Sequence, residues 1–417
     1  MNTSSLWHPQ AHMPTTAADP LVIARGEGAY VETEQGQRLL DATAGLWHVN
    51  IGHGREEVAD AAAAQMKKLE TYHLFGRFAN RPALELADRV TALGPIENAK
   101  VFWTSGGSDS VELASKLSRL HWQLEGRKDK LTIVSRHNAY HGLHGFGTSI
   151  AGIPPNRADY GTDSLVPETL RVAHSDLAAV EAEIDRIGPD RVAAIFAEPI
   201  IGTGGVITPP VGYLAGLQRL CRQHDILFVV DEVITGFGRV GTLFASERFQ
   251  LEPDLVLMAK GITSGYAPLG GVLVAPRVWR RFFEGDDAPM FRHGITYSGH
   301  ATACAVAMAN LDILERENLV DRVASLEAVL RTEVATLAHS PLVAEVRCGA
   351  GFMAGIRLNP EVPGAKVADR ILDRGVITRV LVDNVLQICP PFVIEPKEIA
   401  DMVKVFATVL DEMAVSV

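Results

Sequence analysis

Four apolar runs in the middle of the chain end in polar residues that could do chemistry. The runs are VFWTSGG (101–107), IFAEP (195–199), FVVDEV (228–233) and LMAKG (257–261). Their ends supply a Ser/Gly loop, the carboxylates of Glu198 and Asp231, and the amine of Lys260. An ammonium group is expensive to bury, so a lysine at the end of an apolar run needs a chemical reason. Because ligands of open α/β sheets bind beyond the carboxyl ends of the strands, we expect these groups to share one crevice.

The Ser/Gly loop has the composition of an anion-binding turn. Gly106, Gly107 and Ser108 precede a helical pattern, which predicts that their N–H groups and one hydroxyl lie at the positive end of a helix. This arrangement suits a phosphate, although Ser108 or Asp109 would equally serve as an ordinary helix cap. A nucleoside-triphosphate P-loop is excluded, because the sequence contains no Gly-Lys pair.

A phosphate-binding turn, a carboxylate and an amine are together typical of a pyridoxal phosphate site. The turn holds the phosphate, the carboxylate pairs with the pyridine nitrogen, and the lysine forms the Schiff base. Taken alone, Asp231 could also be a structural carboxylate or a metal ligand. Desolvation at a strand end is expected to lower the pKa of Lys260 and make its amine a usable nucleophile. We interpret Lys260 and Asp231 as the catalytic pair.

The elements that must position these residues alternate between strand and helix patterns. Strand-like runs such as LTIVS, ILFVVDEV and GGVLVA are separated by helical patterns such as SVELASKLSRLHWQLEG. This alternation predicts an α/β fold with a mostly parallel sheet covered by helices on both faces. We assign this large domain to residues 49–300 and a smaller α+β domain to residues 301–417. The N-terminal segment 1–48, which contains the hairpin-like GAYVETEQGQRLLD, is predicted to join the smaller domain.

Composition and charge exclude several function classes. The 417 residues carry a net charge of −11 and no basic run, which argues against a nucleic-acid partner. The four cysteines are far apart and form no CxxC motif, so neither a zinc site nor a disulfide framework is indicated. The first residues lack the pattern of a signal peptide, and no later stretch is long and apolar enough for a bilayer. We predict a cytoplasmic protein without a membrane partner.

Beyond these patterns, the sequence resembles the class III (omega) aminotransferases of pyridoxal-phosphate fold type I over nearly its whole length. The pair DEVITGFGR and AKGITSGYAPLG, with its spacing, is the most specific part of the resemblance. Two positions depart from the usual pattern, since SGGSDS replaces the commoner SGSEAN and Ala301 stands where a proline is frequent. The further matching segments are GLWHVNIGHG (45–54), YHG (140–142), AEPIIGTGG (197–205), TYSGH (296–300) and CPPF (389–392).

The resemblance implies a set of cofactor-binding residues. Lys260 would be the Schiff-base lysine and Asp231 the partner of the ring nitrogen, with Glu198 supporting Asp231. Thr296 would reach the phosphate from the neighbouring subunit of a homodimer with shared active sites; dimers pairing into tetramers are left open. The full set is Gly107, Ser108, Tyr140, His141, Glu198, Asp231, Val233, Lys260 and Thr296. In this set Tyr140 stacks on the ring opposite Val233, and His141 positions the cofactor loop.

The resemblance also implies a substrate pocket and a reaction. Trp47, Phe75 and Tyr140 would line it, and Arg379 would clasp a substrate carboxylate. As alternatives, Trp47 and Phe75 could be ordinary core residues, and Arg379 could be a surface arginine in a hairpin. The implied reaction moves an amino group from an amine or omega-amino acid to a keto acid such as pyruvate. It runs by a ping-pong mechanism through pyridoxamine phosphate.

Three other interpretations remain open at this point. An epimerase or a decarboxylase acting on an amino acid would use the same fold and cofactor. The GFGRVG segment (236–241) satisfies GxGxxG, which would suit a dinucleotide-dependent oxidoreductase, but DEVIT separates it from its strand. His137, His141 and His144 have the spacing of a metal-binding helix face, but Gly142 and Gly145 weaken the helix pattern there. We predict no metal site.

Overall fold

A computed structural model describes residues 5–161 and 164–415. The strands are β1 (Ile23–Glu27), β2 (Tyr30–Thr33), β3 (Arg38–Asp41), β4 (Lys100–Thr104), β5 (Thr132–Arg136), β6 (Thr169–Val172), β7 (Val192–Ala197), β8 (Leu227–Asp231), β9 (Leu255–Met258), β10 (Gly270–Val274), β11 (Val343–Arg347), β12 (Ala354–Leu358), β13 (Val376–Ile377), β14 (Val380–Leu381) and β15 (Val385–Ile388). The helices are α1 (Met13–Thr16), α2 (Ala44–Trp47), α3 (Glu56–Leu69), α4 (Arg81–Leu93), α5 (Gly107–Leu124), α6 (Gly145–Ile150), α7 (Leu177–Ile187), α8 (Tyr213–Gln223), α9 (Ala245–Arg248), α10 (Pro276–Phe283), α11 (Ala301–Arg316), α12 (Leu319–Ala335), α13 (Gly364–Asp373) and α14 (Pro396–Ala414).

The largest sheet has the strand order β4-β10-β9-β8-β7-β5-β6. Only β10 among these strands is antiparallel to its neighbours, β4 and β9, so β4 runs in the same direction as the parallel set. Strands β4, β7, β8 and β9 therefore direct their carboxyl ends to one edge of the sheet. All of the polar strand ends seen in the sequence meet at that edge, and the predicted α/β fold is confirmed.

Both faces of this sheet are buried, which explains its continuous apolar runs. Along β8, Leu227 and Val229 pack with residues of α5 on one face. Phe228 and Val230 pack with α7 and α8 on the other face. Alternate residues of one strand thus serve two hydrophobic layers, and only the strand ends are free for polar side chains.

The two chain ends meet in a smaller sheet of order β1-β2-β3-β13. Strands β2 and β3 form the predicted antiparallel hairpin, and β13 pairs parallel with β3, with Ile377 opposite Asp41. A further antiparallel sheet of order β11-β12-β15-β14 lies within the C-terminal part of the chain. The domain boundaries 1–48, 49–300 and 301–417 stay a prediction. Within the described residues, no helix has the length and apolarity needed to cross a membrane.

Candidate active site

A cavity of about 790 Å³ lies at the carboxyl edge of the large sheet. Its walls come from the ends of β8 and β9, the start of α5 and the segment before α6. The N-terminal part of the chain, which includes Trp47, and the C-terminal segment 379–382 complete them. The predicted site residues that line it are Trp47, Gly107, Ser108, Tyr140, His141, Glu198, Asp231, Val233, Lys260 and Arg379. Residues that were far apart in the sequence thus surround one volume, which is large enough for a cofactor and a small substrate.

Lys260 follows β9 after one residue, Ala259, and begins a short 3-10 turn. Its backbone φ of +48° is in the left-handed region, which residues other than glycine rarely adopt. Residues with such backbone angles are frequent at functional sites. Burial lowers the pKa of the Lys260 ammonium to about 8, and the nearby carboxylates of Asp231 and Glu198 act in the opposite direction. A sizeable fraction of this amine is therefore neutral, and nucleophilic, near pH 8.

Asp231 ends β8 and is held by two hydrogen bonds. Its Oδ1 accepts from the Val233 N–H at 3.1 Å, and its Oδ2 lies 2.8 Å from His141 Nδ1. Since a carboxylate only accepts hydrogen bonds, the proton of this contact belongs to His141 Nδ1. Both side chains are almost fully buried, and His141 Nε2 has no partner among the described residues. His141 and the Val233 N–H thus fix the Asp231 carboxylate at the wall of the cavity.

Glu198 follows β7 and bonds to the main chain. Its Oε1 accepts from the Tyr140 N–H and its Oε2 from the Gly202 N–H, each at 3.0 Å. Burial raises the pKa of the Glu198 carboxyl. The hydrogen bonds of the Asp231 side chain come from the Val233 N–H and from His141, and the support of Asp231 by Glu198 that the resemblance implies stays a prediction. Glu198 also fixes the segment that carries Tyr140, through the bond from the Tyr140 N–H.

Gly107 and Ser108 begin α5, so they lie at the positive end of an 18-residue helix. A Cβ at Gly142 would lie 2.3 Å from Ser108 Oγ, and a Cβ at Gly107 would lie 3.0 Å from the Val233 side chain. Glycine is therefore required at Gly142, where φ is +78°, whereas a side chain at Gly107 would have to displace Val233 slightly. The Leu143 N–H also donates to Ser108 Oγ at 3.4 Å. Together with Lys260 and Asp231, the donor set fits pyridoxal phosphate: an anion seat, a nucleophilic amine and a buried carboxylate.

Trp47 is held by a network around Asp41 that sequence reasoning missed. Asp41 Oδ1 accepts from the N–H and the hydroxyl of Thr43, and Asp41 Oδ2 accepts from the Gly45 N–H at 2.6 Å and from His53 Nε2 at 2.9 Å. These bonds lower the pKa of the Asp41 carboxyl in spite of its burial. Trp47 has a φ of +67° and is only 1% exposed. The only sequence signal was an Asp two residues before a Thr at a strand end, a common turn pattern.

Arg379 lies between β13 and β14, in the position that the sequence predicted between two strand-like runs. The side chain is partly buried, and burial lowers the pKa of its guanidinium. Its Nε donates to Gln387 Oε1 at 3.1 Å. The helical turn α2 (Ala44–Trp47), here called the Trp47 turn, is irregular, with non-helical backbone angles at Gly45 and Leu46. Because β13 pairs with β3, Arg379 and the Trp47 turn both extend from the same small sheet.

Phe75 and Thr296 lie outside this cavity. Phe75 is 50% exposed, and a Cβ at Gly294 would lie 2.7 Å from its ring, so the two predicted residues belong to one exposed region. Their predicted roles at the site require a second subunit and stay predictions.

The remaining motifs have structural positions. The GFGRVG segment lies in turns between β8 and α9 and opens no helix at the sheet edge. His141 bonds to Asp231, whereas His144 Nδ1 lies 3.5 Å from Asp109. Across the described ranges, no group of three His, Cys, Asp or Glu side chains could hold a metal ion.

Known proteins are similar to this chain in both sequence and fold. The family model of the class III aminotransferases matches residues 13–410. The putrescine–pyruvate aminotransferase of Pseudomonas aeruginosa is 36% identical over 95% of this chain and 91% of its own length. The omega-aminotransferase of Caulobacter vibrioides is 34% identical over 98% of both chains.

Solved structures agree with these relatives. An (S)-enantioselective omega-transaminase from Thermomicrobium roseum has a TM-score of 0.93 and 37% identity, covering 97% of this chain and 96% of its own. An amine transaminase from an uncultivated Pseudomonas species, solved in its PLP-bound form, has a TM-score of 0.93 and 35% identity, covering 98% and 99%. These matches do not favour an epimerase, a decarboxylase or an oxidoreductase. The chain therefore belongs to the class III aminotransferases, which are pyridoxal-phosphate-dependent enzymes.

Proposed function

We propose that this aminotransferase moves the amino group of an omega-amine or omega-amino acid to a keto acid such as pyruvate. The observation that carries the proposal is the pairing of an apolar wall, Trp47, with a guanidinium, Arg379, in one cavity beside Lys260. The first suits a carboxylate-free substituent and the second suits a carboxylate. A relative that acts on putrescine and pyruvate supports the same substrate classes.

The residues of the site have distinct tasks in this reaction. Bound pyridoxal phosphate supplies an aldehyde carbon for the amino group and a ring that withdraws electrons from the donor carbon. Lys260 Nζ, whose pKa is lowered to about 8, would take the proton from the donor carbon and return it on the other side of the amino nitrogen, to the carbon of the former aldehyde. Asp231, oriented by His141, keeps a proton on the ring nitrogen by charge pairing.

The two halves of the reaction place different demands on the pocket. In the first half the donor amine binds with its apolar part against Trp47. In the second half the keto acid binds with its carboxylate on Arg379. A ping-pong enzyme must serve both substrates in turn at the same site, so an apolar wall and a guanidinium must coexist.

We propose that a second copy of the chain completes the site. Tyr72 and Phe78 are exposed aromatic side chains in edge contact, the exposed Phe75 lies beside Gly294, and the exposed Tyr297 follows Thr296 in the chain. Exposed aromatic side chains of this kind suit a homodimer interface. In such a dimer Phe75 would line the substrate pocket of the partner subunit and Thr296 would contact its phosphate. The cytoplasmic location stays a prediction.

The reaction is tested with purified enzyme loaded with pyridoxal phosphate. We expect an omega-amine and pyruvate to give alanine, whereas acetone, which lacks the carboxylate of pyruvate, should be a poor acceptor. Amino transfer to both acceptors at equal rates would contradict the role of Arg379. No transfer to pyruvate from any omega-amine would contradict the proposed function.

The shared site is tested by mixing two inactive variants. Lys260→Ala lacks the amine, and Thr296→Asp places a negative charge beside the phosphate. In a mixed dimer, one site would carry both defects and the other would carry neither. Activity should therefore return when the two variants are unfolded together and refolded. If the refolded mixture formed dimers but recovered no activity, a contribution of Thr296 across the interface would be contradicted.

A further inference from the structure

Gln387 is a buried polar side chain whose burial needs an explanation. It is 0% exposed and lies on β15 between Val385 and Cys389, which share its face of the strand and belong to the same apolar cluster as Trp47. Its Nε2 has no hydrogen-bond partner among the described residues. A buried amide with one end unpaired costs more than an apolar residue of the same size. Such a group in a well-packed strand points to a functional reason.

Gln387 lies directly opposite Arg379 across the β14–β15 hairpin. Val380 pairs with Leu386, so the next pair outward is Arg379 and Gln387. The Gln387 N–H donates to the Arg379 carbonyl at 2.9 Å, and the Arg379 Nε–H donates to Gln387 Oε1 at 3.1 Å. Opposite residues of an antiparallel pair direct their side chains to the same face, so backbone and side-chain contacts support each other.

The Gln387 bond leaves the end of the guanidinium free. It uses only Nε, and within the described residues Nη1 and Nη2 of Arg379 have no hydrogen-bond partner. Arg379 also lines the cavity. An arginine held by Nε can present its two terminal amino groups to both oxygens of a carboxylate. We propose that Gln387 is a positioning residue that holds Arg379 ready for the carboxylate of the keto acid, an inference that rests on the proposed function.

The same bond opposes movement of Arg379 away from the cavity. If the guanidinium turned out, Gln387 Oε1 would lose its side-chain donor and both ends of the amide would be buried without partners. The cost of that state favours the inward orientation. Gln387 therefore increases affinity for carboxylate substrates and disfavours donors that need the space of Arg379. Its identity sets the preference between these substrates.

The test compares Gln387→Met with the wild type, because methionine keeps the length and apolar packing but removes the amide. We expect the KM for pyruvate to rise about tenfold, as for loss of a charge-assisted bond, with kcat nearly unchanged. The KM for a carboxylate-free amine such as 1-phenylethylamine should stay the same or fall. Inhibition by propionate, an unreactive carboxylate, should weaken by the same factor as pyruvate binding.

Thr378→Val is the matched control, because the Thr378 hydroxyl donates to the Gln387 carbonyl at 2.7 Å and, within the described residues, forms no hydrogen bond with the Arg379 side chain. It should leave the substrate preference unchanged. In an Arg379→Ala background, Gln387→Met should have no further effect on the KM for pyruvate. Equal changes for pyruvate and the amine, or an undiminished effect in the Arg379→Ala background, would overturn the inference. A wild type that transfers no amino group to pyruvate would contradict the proposed function itself.

Discussion

The active site joins two regions that are built differently. The cofactor half, formed by Ser108, His141, Asp231 and Lys260, extends from the large buried sheet and the helices that cover it. The substrate half, formed by Trp47 and Arg379, comes from the two chain ends, in turns that follow β3 and β13. In the first region side chains are fixed by strand ends and buried bonds. In the second region they are fixed by a turn with left-handed residues and by a short hairpin.

This difference matches what each region must do. The groups that transfer protons need a constant geometry, which neighbouring strands of one sheet supply. The groups that select substrates must accept two different molecules, and short turns tolerate that better. We therefore expect substitutions in the cofactor half to affect both half-reactions, and substitutions in the substrate half to affect one of them.

The largest effect is expected for Lys260→Ala, which removes both the nucleophile and the proton carrier. Turnover with amine and pyruvate should fall by several orders of magnitude, in both half-reactions. Pyridoxal phosphate should still bind, but without a covalent link, because the helix start and Asp231 remain. Absorbance spectra after borohydride reduction and gel filtration distinguish covalent from non-covalent binding.

Lys130→Ala is the control for Lys260→Ala. Lys130 is the other lysine whose pKa burial lowers to about 8, but it lies outside the cavity and donates to the carbonyls of Pro189 and His224. Its loss should lower stability and leave the spectrum unchanged. Near-normal transamination by Lys260→Ala would contradict the assigned mechanism.

A smaller but still large effect is expected for Asp231→Asn. The amide keeps contact with the ring nitrogen but cannot hold it protonated, so proton abstraction should slow severely and cofactor affinity only modestly. Because Asp231 raises the pKa of Lys260, the variant should also shift attachment of pyridoxal phosphate to the apoenzyme toward lower pH. For the wild type, the attachment rate should rise with pH through about 8, since the neutral amine reacts.

Asp254→Asn provides the control, since Asp254 is a second carboxylate next to the large sheet and accepts from the Phe228 N–H at 2.8 Å. Burial raises the pKa of the Asp254 carboxyl. It lies outside the cavity and should leave the pH midpoint of attachment unchanged. Equal losses of cofactor affinity and of proton abstraction in Asp231→Asn would indicate a structural role for that carboxylate.

The main groups of the cofactor half were predictable from local patterns in the sequence, whereas Trp47 and Arg379 of the substrate half were expected only from the resemblance to the aminotransferase family. Lys260, Asp231 and Glu198 each follow an apolar run directly, so a local pattern and the direction of the strands suffice to bring them together. His141 bonds to Asp231 across 90 residues of sequence, and no periodicity indicates such a pairing. Asp41 and Gln387 were missed because their roles depend on a turn and a hairpin register. Phe75 and Thr296 concern a surface between subunits, which the pattern of one chain does not determine.

Arg379→Ala should affect only one half-reaction. A partly desolvated guanidinium–carboxylate contact contributes about 1.5–3 kcal/mol, so the pyruvate half should slow roughly ten- to a hundredfold. The half-reaction with a carboxylate-free arylalkylamine should change little. Single-turnover rates of the two halves, measured separately, decide this. Arg347→Ala is the control, because Arg347 donates to the Gly205 carbonyl and does not line the cavity. Equal slowing of both halves would remove Arg379 from the carboxylate site.

The smallest effect is expected for Thr43→Val, which tests the network that holds Trp47. Valine keeps the shape of the side chain and the N–H bond to Asp41, but it removes the hydroxyl that donates to Asp41 Oδ1 at 2.7 Å. Loss of one buried hydrogen bond costs about 0.5–1.5 kcal/mol of protein stability. Where that cost falls on the arrangement of Trp47 that binds the amine, the KM for an apolar amine should rise by up to about two- to tenfold. The pyruvate half should be unchanged, because Arg379 is held separately by Gln387.

Thr33→Val separates this effect from a general weakening of the small sheet. Thr33 is buried in β2, and its hydroxyl accepts from the Gln37 N–H at 3.2 Å, far from the Trp47 turn. Both variants should lower the melting temperature to a similar degree, but only Thr43→Val should raise the KM for the amine. If Thr33→Val raised that KM equally, the position of Trp47 would depend on the stability of the whole sheet. The distinction between a rigid cofactor half and an independently supported substrate half would then fail.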